Sequence, residues 1–189
     1  MADTKENKKE SQFQFPTELI DLPTKGICYG DDSPLKEGKL EIKYMTAKEE
    51  DILTSQNLIK KGVVIDKLLD SLIVTPGISS SDLTIGDKNA VMIAARILAY
   101  GAEYTCEVIN PNNQEKLQHS FNLAECEFTD PKEGIDYSTG EFDLELPISK
   151  VNIKFKLLTG ADEKIIEQDI RGLKKIGQTA EITTRLKRL

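Results

Sequence analysis

The spacing of apolar residues changes at Gly101, and that change constrains the fold more than any other feature of this 189-residue chain. Before it, Lys88 to Tyr100 holds Val91, Met92, Ile93, Ile97 and Leu98 among Ala90, Ala94, Ala95 and Ala99. That pattern predicts a helix apolar almost all round, hence buried, with Asp87 as its cap and Gly101 as its stop. Arg96 is the lone charge inside it and is expected to pair with a carboxylate or to snorkel. After Gly101 the apolar residues alternate. Glu103–Ile109 and Lys116–Leu123 flank the turn Asn110-Pro111-Asn112-Asn113 and predict a hairpin. Phe142–Leu146 and Val151–Leu157 alternate again.

The stretch before that helix is mostly helical. Lys39–Tyr44 alternates as a half-buried strand and stops at Thr46, which forms a capping box with Glu49. Short helices are predicted over 47–53, over 55–61 closed by Gly62, and over 64–73, where Ile65, Leu68, Leu69, Leu72 and Ile73 form a stripe. None of these is stable alone, so their stripes must pack together or on a partner. Thr159 and Asp162 open a further helix to about Lys175, with Ile166, Ile170 and Leu173 on its core face. A last helical pattern runs from Thr179 to Leu189. The fold class expected is α+β: a helical N-terminal part packed with a small antiparallel sheet and a central buried helix. Residues 1–16 are polar, without periodicity, and are expected to be a disordered tail. Residues 17–160 form the core domain and 161–189 a C-terminal helical segment.

Composition narrows the function. Hydrophobic residues make up 39% of the chain, enough for a core, and the net charge is −7 with aromatic residues at 6% and no Trp. An acidic, aromatic-poor chain is a poor nucleic-acid binder. The longest apolar run is interrupted by Arg96 and too short for a bilayer, and the N-terminus has no apolar signal core, so neither a membrane nor secretion is expected. Cys28, Cys106 and Cys126, odd in number, are expected to be free core thiols.

No catalytic constellation is legible. His119 is the one histidine, and no nucleophile motif, P-loop or GxGxxG accompanies it. Cys106, His119 and Cys126 lack the close cysteine pair of a structural zinc site, so no metal and no cofactor is expected. Glu49, Glu50 and Asp51 are adjacent on a helix and point in different directions, so they serve capping and the helix dipole.

Charge is concentrated at the C-terminus. Residues 171–189 hold six basic residues and one acid, net +5. A solvated helix face and a docking segment for an acidic partner both account for this, with RNA or membrane as lesser readings. The stripe Ile182, Leu186, Leu189 with Arg185, Lys187 and Arg188 either docks back on the chain, docks on a partner, or stays disordered. The candidate partner-binding residues are Phe13, Phe15, Ile182, Arg185, Leu186, Lys187 and Arg188; catalytic, cofactor and metal residues are none.

Three segments together carry a resemblance: Leu22–Tyr29; Tyr44–Leu53 continuing through Asn57–Gly62 to Asp66–Leu69; and Gly86–Ala90 through Arg96–Tyr104. In that order they resemble the baseplate hub assembly family of T-even-type (T4-like) contractile-tailed bacteriophages, over roughly residues 20–160. The resemblance implies a non-catalytic, protein-binding role in building the baseplate hub, with hub or tail proteins as partners, in the host cytoplasm during assembly or in the virion. A permanent structural subunit of the baseplate or tail and a general tail assembly chaperone are the alternatives. The resemblance also implies a Cys-Pro-x-Cys knuckle in some relatives, where this chain has Asn110-Pro111-Asn112-Asn113. Several relatives continue past the point resembling Thr183–Lys187, so this chain reads as a short member or a truncated product.

Overall fold

A computed structural model describes residues 15–137 and 139–189. The N-terminal expectation of disorder therefore falls largely outside the described residues, as does Phe13. The chain runs β1 (Thr17–Asp21), β2 (Lys39–Lys43), α1 (Ala47–Thr54), α2 (Gln56–Lys61), α3 (Val64–Leu72), α4 (Ile85–Tyr100), β3 (Glu103–Ile109), β4 (Lys116–Asn122), β5 (Glu141–Glu145), β6 (Asn152–Lys156), α5 (Gly160–Lys175) and α6 (Glu181–Leu186). The fold is α+β. Its strands are divided among separate two-stranded antiparallel ribbons: β1 with β2, β3 with β4, β5 with β6.

The core lies where β2 meets α3 and α4. Alternation along β2 turns Leu40 and Ile42 inward, onto Leu69 and Leu72 of α3 and Val91 and Ala95 of α4. Leu22, Leu35 and Leu83 close the cluster from the loops. The Ile42–Ile73 bridge and the Val74 amide on the Glu41 carbonyl (3.0 Å) tie the end of α3 to β2. β1 is not legible in the sequence, because Thr17–Asp21 is short and mostly exposed. It exists through pairing with β2, Thr17 opposite Lys43 and Asp21 opposite Lys39. The same pairing reaches further back, with the Pro16 carbonyl accepting from the Tyr44 amide.

Two expectations for α4 need correction. The helix begins three residues early, and Thr84, not Asp87, caps it, accepting from the Asp87 amide at 3.3 Å. The Asp87 side chain is instead fully buried and accepts from the Thr24 amide (3.0 Å), the Thr24 hydroxyl (2.7 Å) and the Tyr29 hydroxyl. Tyr29 in turn accepts from the Thr84 amide, so one buried carboxylate pins the Pro23–Gly30 loop to the start of α4. Burial, and then this carboxylate, hold the Tyr29 phenol well above its ordinary range. Nor is α4 covered on every side. Ala90, Val91 and Ala95 are buried while Met92 and Tyr100 are exposed. The chain supplies a layer for one face, and the ribbon that follows leaves from the helix end without closing over the other.

α5 joins the body at its start. The Ile85 amide donates to the Leu158 carbonyl and the Gly160 amide to the Leu83 carbonyl, both at 2.9 Å. A Cβ on Gly160 would lie 2.3 Å from the Ser80 carbonyl oxygen, so this close crossing of backbones requires glycine. Thr159 and Asp162 form the helix's capping box as the sequence indicates. Lys164 reaches across to the Ser81 hydroxyl and to Asp66.

Candidate functional site

The capping box at Thr46 is the outer part of a larger buried network. Glu49 reaches back to the Thr46 amide at 3.0 Å, and its carboxylate also accepts from the Thr46 hydroxyl. Its other oxygen accepts from Lys43 of β2 (2.9 Å) and Ser71 of α3 (2.6 Å). The Glu49 side chain is wholly buried and that of Lys43 only 13% exposed. Burial alone would raise the carboxyl, but the bonds from Ser71, Thr46 and Lys43 outweigh it and lower it to about 2. The network fixes α1 against β2 and α3, and thereby builds one wall of a groove.

That groove is an apolar concave feature of the described residues. It encloses about 410 Å³ and is walled by Met45, Leu53, Ile65, Met92, Tyr104 and Phe121, from α1, α3, α4 and the β3–β4 ribbon. Its lining is almost wholly apolar, and Arg96 is its one charged wall. Arg96 does not meet a carboxylate. Its guanidinium lies over the Tyr100 ring at 4.8 Å and the Tyr104 ring at 5.7 Å, and donates to the Gly101 carbonyl at 3.1 Å. Half-buried and open to water on one side, it needs no buried counter-charge. Tyr100 donates to Glu50, joining the end of α4 to α1 across the groove.

The lining extends along the ribbon. Tyr104 pairs with Phe121, Cys106 with His119 and Val108 with Leu117, so these six side chains share one face. The Tyr104 and Phe121 rings stack at 5.7 Å, and His119 stands edge-on to Phe121 at 5.0 Å. Glu107 and Lys116 form an ion pair on the other face.

This arrangement can bury apolar side chains of a partner. Cys28 is half-buried, and burial followed by the charge of Asp87 pushes its thiol up, away from the reactive thiolate. Cys106 and Cys126 are free thiols too, but contrary to expectation none of the three is a core residue, and Cys126 is exposed. No group of three His, Cys, Asp or Glu among the described residues could hold a metal ion. No helix there is long and apolar enough to cross a membrane.

The candidate residues named from the sequence do not form one site. Phe15 lies against β2, with the Lys43 ammonium 5.2 Å from its ring. At the C-terminus, α6 docks on α5, but by its charges. Arg185 makes a two-pronged bond to Glu163 (2.6 and 3.0 Å), Arg188 stands 4.0 Å from Asp169, and the Leu189 carbonyl accepts from the Lys156 amide at 2.6 Å. Ile182 and Leu186 face outward, 76% and 62% exposed, beside exposed Lys187. Among the described residues nothing covers Ile182 and Leu186; Thr184 is the residue α6 buries. The groove itself is not legible in the sequence, because its walls come from segments as distant along the chain as Met45 and Phe121.

No curated protein and no solved structure matches the chain. A family model described as T4 bacteriophage base plate protein matches residues 29–185. That span runs from the Tyr29 anchor through all the groove walls to the Arg185 contact, and it takes in most of the chain. The chain belongs to the T4 bacteriophage base plate protein family.

Proposed function

We propose that the chain is a non-catalytic protein-binding factor in assembly of the baseplate hub. It acts by taking apolar side chains of hub or tail proteins into the groove walled by α1, α3, α4 and the β3–β4 ribbon. The observation that carries this reading is an open, nearly uncharged groove in a protein of a baseplate family. Monomeric proteins rarely leave a contiguous apolar surface uncovered unless a partner covers it. The work takes place in the host cytoplasm as the tail is built, without nucleic acid, membrane or cofactor.

A second reading, a permanent structural subunit of the baseplate or tail, is favoured by the family description itself. Mass spectrometry of purified virions separates the two. An assembly factor is depleted from finished particles, whereas a structural subunit is present at fixed stoichiometry. A general tail assembly chaperone would also leave the particle, but it would co-purify with a tail protein outside the hub. For the groove itself, Met92→Glu places a charge on an exposed wall. The expected result is loss of phage complementation with an unchanged fold; full complementation by this variant refutes the groove as the binding surface.

A further inference from the structure

Two apolar patches on this chain carry opposite charge. The first is the groove with the ribbon face that continues it, where Tyr104, Val108, Leu117 and Phe121 are each 40–48% exposed. A two-stranded ribbon with an uncovered apolar face is marginal in water, so that face calls for a cover. Residues 103–137, which make the ribbon and the loop after it, contain eight acids and two lysines, net −6, with Glu107 and Asp130 engaged by Lys116 and Lys25.

The second patch is the outward face of α6, Ile182 and Leu186, with Ile176 (69% exposed) just before it. It sits in the +5 segment. Arg185 and Arg188 of that segment are engaged with α5, while Lys174, Lys175 and Lys187 take part in no ion pair among the described residues. α6 is held to α5 through Arg185 and to β6 through the Leu189 carbonyl, so its apolar face cannot turn onto the groove of its own chain while those bonds last.

We propose that copies of this chain associate head to tail. The Ile182–Leu186 face of one copy enters the groove and ribbon face of the next, and Lys174, Lys175 and Lys187 meet the acids around the ribbon. The inference rests on the reading of the groove as a protein-binding surface and names its occupant. An interface between two different patches repeats from copy to copy, and so builds a ring if its rotation closes and a filament if it does not. Charge complementarity of this kind weakens with salt.

Sedimentation of the full chain across a range of concentrations tests it, with Ile182→Glu and Met92→Glu as variants at exposed positions whose fold is checked by circular dichroism. The expected result is wild-type species larger than a dimer that shrink in high salt, and each variant alone a monomer. An equal mixture of the two variants should double in mass and stop there. One variant keeps an intact groove and the other an intact helix face, so a single interface forms. A wild type that is monomeric throughout, or that stops at a dimer, overturns the proposal. So does a mixture that stays monomeric. Capture of a hub protein by a strictly monomeric chain would leave the proposed function standing and remove only the self-association.

Discussion

Replacing Glu49 by Gln is the sharpest test of how the groove wall is held. The carboxylate occupies four donors: the Thr46 amide and hydroxyl, the Lys43 ammonium and the Ser71 hydroxyl. Glutamine keeps the shape but offers one oxygen. Its NH2 must face either Lys43 and Ser71 or the Thr46 amide, donor against donor. Lys43 would also be left as a nearly buried ammonium without a counter-charge. Breaking a buried pair in this way costs about 3–5 kcal/mol, and the carboxyl's depression from 4.5 to about 2 gives a similar figure, about 3 kcal/mol. For a chain of this length that corresponds to a fall in Tm of roughly 10 °C. The sign of the pH dependence follows. A group whose pKa is lowered on folding stabilises the fold fully above its unfolded value of 4.5, and that contribution is lost as pH falls towards 2. Urea unfolding of wild type and Glu49→Gln should therefore show a gap that is full at pH 7 and narrows below pH 4.5. Lys43→Met in the Glu49→Gln background should recover part of the loss, because it removes the stranded charge. A variant within about 1 kcal/mol of wild type at pH 7 would refute this account of the network, since exposed ion pairs are worth no more than that.

Arg96→Ala should cost only about 1 kcal/mol, the value of an exposed cation–π contact with one hydrogen bond, and a fall in thermal stability several times larger would reveal a buried counter-charge. Asp87→Ala strands the Tyr29 hydroxyl and the Thr24 amide in the core, so about 3 kcal/mol of stability should be lost on denaturant unfolding, and Tyr29→Phe should cost less. His119→Ala should complement a phage lacking the protein, because the non-catalytic reading gives His119, opposite Cys106 and edge-on to Phe121, only a packing role; a folded but inactive variant would overturn that reading.

Local order was legible in the chain because local rules decide it. Helical spacing from Val64 and from Thr159, the capping boxes at Thr46 and Thr159, and the alternation either side of Asn110–Asn113 set elements close to those observed, since each depends on residues a few positions apart. The α+β class follows from their sum, and two of the three segments resembling the baseplate family lie on α1–α3 and α4, while Leu22–Tyr29 is a loop. What tertiary structure alone decided is which face each element shows and to whom. The apolar residues of α4 announce a buried helix, but burial depends on whether another layer arrives, and none does over Met92 and Tyr100. Asp87 is an equally good cap in the sequence; it becomes a buried acceptor only because Thr24 and Tyr29, about 60 residues earlier, arrive beside it. The stripe on α6 leaves docking on the chain, docking on a partner and disorder all open. The acids Glu163 and Asp169 on α5 pull its arginines inward, and the helix turns its Ile182 and Leu186 to solvent. Periodicity records which residues share a face, but only packing against distant segments determines whether that face is covered.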